Sequence, residues 1–252
     1  MVVSLYDNQI TRYRSHILLK QIGAPGQKKM LTAKILVIGL GGLGAFIAPG
    51  LAASGIGHIG IIDDDDIELS NIHRQILYNT GDIGSSKSLI MAEKIASINP
   101  DTNVQVYKEK VTHANARSFI EPYDIVIDGT DNFVARHIIN EACVTMMKPL
   151  LTASVSCWDG YLAVFHTCTP NSPCYACIFS KSMNIPATDC SFDGIAGGLA
   201  GIIGSATVLE TIKLVAMKAA LDNDYMLMYN SLDNIFQKIL LCANPECQVC
   251  KI

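Results

Sequence analysis

The chain reads as a doubly wound, mostly parallel α/β fold, and three observations predict it. A wholly apolar run, Ile35-Leu36-Val37-Ile38, leads into a Gly-x-Gly-x-x-Gly turn at Gly39, Gly41 and Gly44. A second run, His58-Ile59-Gly60-Ile61-Ile62, ends in four adjacent carboxylates, Asp63 to Asp66, roughly twenty residues after that turn. Short apolar strands then alternate with helical stretches, the pattern of a parallel sheet covered on both faces.

The elements follow in order. Residues 5–31 read as amphipathic helix, broken around Gly23-Ala24-Pro25-Gly26. Ile35 to Ile38 is a strand buried on both faces, and a small-residue helix runs from the glycine turn to about Ser54. A second strand covers Ile59 to Ile62. Lys87 to Ile98 is helical and stopped by Asn99-Pro100. Val104-Gln105-Val106 is a third strand, and Tyr123 to Ile127 a fourth that ends in Asp128-Gly129-Thr130-Asp131-Asn132. Pro149 to Ala153 begins a fifth, with Gly160 to His166 returning beside it. An irregular insert occupies 168–195. With no repeat or linker, 1–252 reads as one domain: N-terminal helices over 1–33, a nucleotide-binding core over 34–167, and a crossover and C-terminal part over 168–252.

Composition narrows the partners. A net charge of -4 argues against a nucleic-acid backbone or an anionic membrane. Met1 to Lys20 lacks an apolar signal region, which points to the cytoplasm. Ile35 to Ile62 carries no Asp, Glu, Lys or Arg and is long enough to cross a bilayer, but its glycines punctuate a buried strand–helix–strand unit. Nine cysteines include two Cys-x-x-Cys pairs, Cys174 with Cys177 and Cys247 with Cys250. In a reducing compartment this pattern reads as metal binding ahead of disulfides. Four thiolates make a closed tetrahedral zinc site that would staple the C-terminal tail to the insert. Cys242 is an alternative ligand, though Cys247 fits the pairing better. Cys143, Cys157 and Cys168 read as structural. The dispersed histidines carry no hypothesis.

Ligands of parallel sheets lie beyond the carboxyl ends of the strands. The glycine turn, the acidic run and the Asp128/Asp131 segment all end strands there. Gly39 and Gly41 let backbone approach a nucleotide, and the next helix offers N–H groups to phosphate. Taken alone, the turn suits NAD, FAD or ATP equally. Asp63 is placed for ribose hydroxyls, while Asp64 and Asp66 read as solvated loop. Arg74 and Lys87 would neutralise phosphates. Asp131 could hold magnesium, or cap the helix that begins near Asn132.

Ile35–Gly44, Asp63–Gln75, Lys87 and Gly129–Asn132 together resemble the ThiF/MoeB/HesA family of ubiquitin-activating-enzyme-like adenylyltransferases, over about Arg12 to Cys250. The string Ser70-Asn71-x-x-Arg74-Gln75, with the paired Cys-x-x-Cys motifs, is far more specific than the glycine turn. The four aspartates, the length and the cysteine layout resemble the ThiF branch most. The resemblance implies a Rossmann-like sheet with an antiparallel extension and a zinc-stapled C-terminal part. It implies ATP held by Gly39, Gly41, Gly42, Asp63, Asp65, Ser70, Asn71, Arg74, Gln75, Lys87, Asp131 and Asn132, with Asp131 positioning Mg2+ and the reacting phosphate.

The implied substrate is the C-terminal glycine carboxylate of a ubiquitin-like, β-grasp sulfur carrier protein ending in Gly-Gly, most closely of the thiamin type, activated as acyl-adenylate. A homodimer, structural Zn2+, and a cysteine desulfurase or rhodanese-type sulfur donor are implied too. Cys190 would take part in sulfur transfer or be a bystander, since Asp189 and Asp193 oppose its ionisation. The family's first helix carries a second arginine that reaches the partner's ATP. Here Ser15 stands in that place and Arg14 is displaced by one residue, roughly 100° around a helix. The alternatives are a molybdopterin-synthase-type carrier, a ribosomal peptide substrate, a catalytically silent relative, and an NAD oxidoreductase that only the glycine turn supports.

Overall fold

The computed structural model describes residues 5–167, 169, 172–181, 194–217 and 224–250. Its frame is an eight-stranded sheet in the order β3-β2-β1-β4-β5-β6-β7-β8. The strands are β1 (Lys34–Ile38), β2 (His58–Ile62), β3 (Asn103–Tyr107), β4 (Ile125–Asp128), β5 (Leu150–Ser156), β6 (Asp159–Phe165), β7 (Tyr225–Asn230) and β8 (Ile235–Leu240). The first five run parallel, and β6 to β8 extend the sheet antiparallel.

The apolar strand runs are buried on both faces, and alternate residues feed two cores. Ile35, Val37, Ile59 and Ile61 pack with Met30, Leu51, Met91 and Ile203 on one side. Leu36, Ile38, Ile62 and Val126 pack with Phe119, Ile139 and Tyr175 on the other. The first side is covered by helices α3 (Gly23–Thr32), α4 (Gly44–Ser54), α5 (Lys87–Ile98) and α9 (Gly197–Met217). The second is covered by α6 (Ala116–Ile120), α7 (Phe133–Thr145) and α8 (Tyr175–Ile178).

One sequence expectation changes, and several elements, α9, β7 and β8 among them, were not foreseen. The N-terminal helices α1 (Asp7–Arg12) and α2 (Arg14–Ile17) precede a break over 18–22, and Gly23 to Gly26 opens α3 instead of interrupting a helix. Pro25 falls in the first turn of α3, where a missing N–H sacrifices no intrahelical bond. Helix α9, 21 residues long, takes in most of the glycine-rich run Gly194 to Gly204. It is apolar on nearly every side, so no amphipathic stripe announces it. Among the described residues it is the one helix long and apolar enough to cross a membrane, and 56% of its most apolar window is buried, as in the core helix of a globular fold.

Ile203 of α9 is 1% exposed and sits over the sheet in the larger core. Ile203→Ala is expected to lower the free energy of unfolding by about 2–5 kcal/mol, measured by urea titration.

Candidate active site

The carboxyl ends of β1, β2 and β4 are laced together by backbone. Gly39 N–H donates to the Ile62 carbonyl at 2.9 Å, and Gly129 N–H to the Ile38 carbonyl at 2.8 Å. Gly39 has φ +87°, and a Cβ there would lie 2.9 Å from the Gly129 carbonyl carbon. Any side chain would push the two strand ends apart, so glycine is required.

Three of the four aspartates take separate partners and Asp64 faces solvent, which answers how the fold tolerates them. Asp63 turns inward: its carboxylate accepts N–H bonds from Leu40 at 2.6 Å and Asp65 at 2.9 Å. Burial raises its pKa above the usual carboxylate range, against the opposing pull of Lys87 and those two donors. Asp65 pairs with the Lys87 ammonium at 2.6 Å, and Lys87 N–H donates to the Asp65 carbonyl at 3.1 Å. The lysine side chain is 5% exposed and the aspartate 66%, so the pair orients the lysine and contributes little stability, about 1 kcal/mol or less. Asp64 and Asp66 are both exposed as expected, and Asp66 also pairs with Lys108 at 3.1 Å.

The segment after the acids folds back over the glycine turn. A 3-10 turn, Leu69–Asn71, lets Ser70 Oγ and Asn71 Nδ2 both donate to Glu68 Oε2, at 3.1 and 3.3 Å. The Arg74 guanidinium donates to Asn71 Oδ1 and to the Ser70 carbonyl at 3.4 Å, and lies 3.0 Å from His73 Nε2. Its stem lies against Gly42, where a Cβ would come within 3.6 Å of Arg74 Cγ. Gln75 is 3% exposed, and its Oε1 has no hydrogen-bond partner among the described residues. Its amide borders Gly41, whose Cβ would lie 3.6 Å from Gln75 Nε2. A buried acceptor without a partner costs free energy unless a ligand or water completes it.

At the end of β4, the helix cap falls to Asn132, whose Oδ1 accepts Ala135 N–H at 3.0 Å. Asp131 is exposed and does not cap, contrary to that expectation. Three residues to which the sequence assigned no role of their own brace this edge of the sheet. Asp128 is fully buried, and its Oδ1 accepts from the Thr130 N–H at 3.0 Å and hydroxyl at 2.7 Å. Arg136 donates to the Thr130 carbonyl at 3.1 Å, the Tyr161 hydroxyl at 2.8 Å and Ser154 Oγ at 3.1 Å. Tyr78, 2% exposed, donates to the Leu40 carbonyl at 3.0 Å and so ties the glycine turn to the Gln75 segment. Nothing in the local sequence separates Arg136 from a solvated helix arginine; its burial arises from contacts to Thr130 and β5.

Comparison with known proteins decides the family. Residues 13–249 match the ThiF family. The chain belongs to the ThiF family. It is 35% identical over 246 residues to a sulfur carrier protein adenylyltransferase of Thermus thermophilus, covering 96% of this chain and 91% of that protein. It is 40% identical over 246 residues to a probable molybdopterin-synthase adenylyltransferase of Gracilaria tenuistipitata var. liui, covering 98% and 69%. A solved structure of MccB from E. coli with MccA-N7isoASN superposes with a TM-score of 0.84 at 21% identity, over 97% of this chain and 76% of that one, a likeness of fold. This ThiF-family chain is an ATP-dependent adenylyltransferase.

The two cysteine pairs of this ThiF-family protein meet as their spacing predicts. The Sγ atoms of Cys174, Cys177, Cys247 and Cys250 lie within 4.8 Å of one another. Cys174 and Cys247 are 3.8 Å apart, and Cys177 and Cys250 3.3 Å. Tetrahedral zinc–thiolate geometry needs sulfurs roughly 3.8 Å apart, so the donor set fits zinc in a closed site. Burial pushes the Cys174 thiol up to about 11, with Cys177 and Cys247 adding repulsion against a hydrogen bond from Asn140. A dication would relieve that cost. Cys242 is exposed and outside the cluster. Cys143 is buried as expected, whereas Cys157 is exposed at the β5–β6 turn with φ +50°, correcting its reading as an interior residue. Cys168 and Cys190 lie outside the described residues. Arg14 and Ser15 are exposed on α2, while Arg12 donates to the Ile98 carbonyl at 3.0 Å.

One zinc per chain is expected by elemental analysis. Cys247→Ser should lose it and lower the melting temperature by about 5–15 °C, read by differential scanning calorimetry.

Proposed function

We propose that this chain activates the C-terminal glycine carboxylate of a ubiquitin-like sulfur carrier ending in Gly-Gly. A carrier carboxylate oxygen attacks the α-phosphorus of ATP, the bond to the pyrophosphate oxygen breaks, and acyl-adenylate and pyrophosphate result. The reaction turns a carboxylate, a poor electrophile, into an acyl group with a good leaving group. It calls for alignment and charge neutralisation more than for covalent help from the protein. One observation carries the reading: the glycine turn, the inward Asp63 carboxylate, Arg74 and Lys87 converge at one end of the sheet. One relative is named for a sulfur carrier protein and the other for molybdopterin synthase, which supports a carrier substrate without choosing its type. The thiamin-type carrier is the first substrate to test and the molybdopterin-synthase type the second.

In this reading Gly39, Gly41 and Gly42 let the phosphates approach the backbone, and Asp63 accepts hydrogen bonds from the ribose hydroxyls. Ser70 and Asn71 hold Arg74, which with Lys87 neutralises the phosphates, and Gln75 offers its unpartnered buried amide oxygen to the nucleotide. Asp65 orients Lys87. Asp131 would hold Mg2+, which supplies charge to the phosphate oxygens, and Asn132 starts the helix beneath it. The wider assembly belongs to the same proposal: a homodimer in which Arg14 takes over the displaced cross-subunit contact, a cysteine desulfurase or rhodanese-type sulfur donor, and Cys190 as the transfer thiol.

ATP–pyrophosphate exchange tests the reading. Exchange should require a Gly-Gly carrier and fall about 10²–10³-fold in Asp131→Ala; bound ATP without exchange for any carrier would sink it. The raised pKa of Asp63 adds a pH dependence. Ribose hydroxyls donate to the ionised carboxylate, so ATP affinity should fall as pH drops through that raised value. Calorimetric titrations of ATP taken stepwise downward from neutral pH read this, and Asp63→Ala should flatten the profile.

A further inference from the structure

The first residues of α9 abut the arginine segment. A Cβ on Gly197 would lie 2.4 Å from the His73 carbonyl oxygen, 3.3 Å from its carbon and 3.4 Å from Arg74 Cα. All three are backbone atoms, so no side-chain rotation could relieve the overlap. Its neighbour Gly198 faces open space, with nothing within 4 Å of a Cβ. One turn further, Ala200 closes over the glycine turn, its Cβ 3.4 Å from where a Gly42 Cβ would stand. Arg74 is therefore held between the glycine turn, through its stem, and the start of α9, through its backbone.

The lead-in to α9 is anchored elsewhere too. Cys157 N–H donates to the Gly194 carbonyl at 3.1 Å, and Ala196 N–H to the Cys157 carbonyl at 3.0 Å, tying the strap at 194–196 to the β5–β6 turn. Packing of α9 cannot shift freely when that contact is crowded, because this end is pinned and Ile203 is buried farther along.

We propose that Gly197 is a positioning residue for ATP binding: its bare α-carbon lets the start of α9 seat the His73–Arg74 backbone, which sets where the Arg74 guanidinium meets the phosphates. This rests on the reading of Arg74 as a phosphate ligand. A side chain at 197 displaces that backbone and weakens binding of phosphates while leaving the ribose contact of Asp63 intact.

Calorimetric titration of the full chain with ATP and, separately, with adenosine tests it. Gly197→Ala should raise the Kd for ATP about tenfold, the loss of one charge-assisted contact, and leave adenosine binding within about twofold. Gly198→Ala, the same substitution one residue on, should bind both as the wild type does. Adding Gly197→Ala to Arg74→Ala should weaken ATP no further than Arg74→Ala alone, because the two act through one group.

Wild-type ATP affinity in Gly197→Ala, an additive loss in the double variant, or an equal loss for adenosine would each overturn the assignment. Arg74→Ala binding ATP normally would overturn the phosphate-ligand reading and the coupling with it. Loss in Arg74→Ala beside an intact Gly197→Ala would overturn the coupling alone. Should Gly197→Ala not fold, amide hydrogen exchange on the wild type decides: ATP should protect the start of α9 together with 73–75, and Arg74→Ala should lose that protection. Protection of 73–75 with α9 unchanged would refute the proposal.

Discussion

The contact of Gly39 with Gly129 sets the geometry of the whole carboxyl end of the parallel strands. Two strand termini approach until only a hydrogen separates backbone from backbone, and both loops then turn at the same edge. The approach brings the glycine turn next to the loop that carries Asp131. It also puts Leu40 N–H within reach of Asp63, so the acid ending β2 is held by the turn ending β1. Each later contact, from Tyr78 on the Leu40 carbonyl to Arg74 across Gly42, is built on that closure.

Charge at this edge is managed by division. Four adjacent carboxylates in one solvent pocket would repel strongly, yet one is turned into backbone N–H groups and two are paired with different lysines. The buried Asp128 and Arg136 act similarly beneath the opposite loop. Arg136 spreads its donors over Thr130, Tyr161 and Ser154, so a buried cation is matched by oxygens and not left bare. The proposed nucleotide site is thereby cross-braced by hydrogen bonds and ion pairs, which suits a reaction whose barrier falls mainly through positioning.

The far end of the molecule relies on other means. The last strand, β8, is exposed along its length and buries little apolar surface. The tail beyond it is tied back by Cys247 and Cys250 meeting Cys174 and Cys177, so four sulfurs do there what a core does elsewhere. Between the two ends lies α9, which covers the sheet and reaches the arginine segment with its first turn.

Much of this was legible in the chain itself. The parallel strands, the glycine turn, the acid ending β2 and the cysteine pairing are written in local patterns: apolar runs, a φ only glycine accepts, and ligand spacing. The positions of β1 to β6 held to within a residue or two for the same reason, while β7 and β8 had not been placed. Other features depend on neighbours remote in sequence, which no local pattern encodes. Helix α9 was hidden because an all-apolar helix has no periodic stripe. The helix cap went to Asn132 and not Asp131 because only the final backbone path decides which side chain faces the free N–H. The burial of Arg136, the lysine chosen by each aspartate and the seat of Gly197 against His73 exist only once distant segments pack. Local sequence determined which residues could do the chemistry, and tertiary packing decided which groups they face.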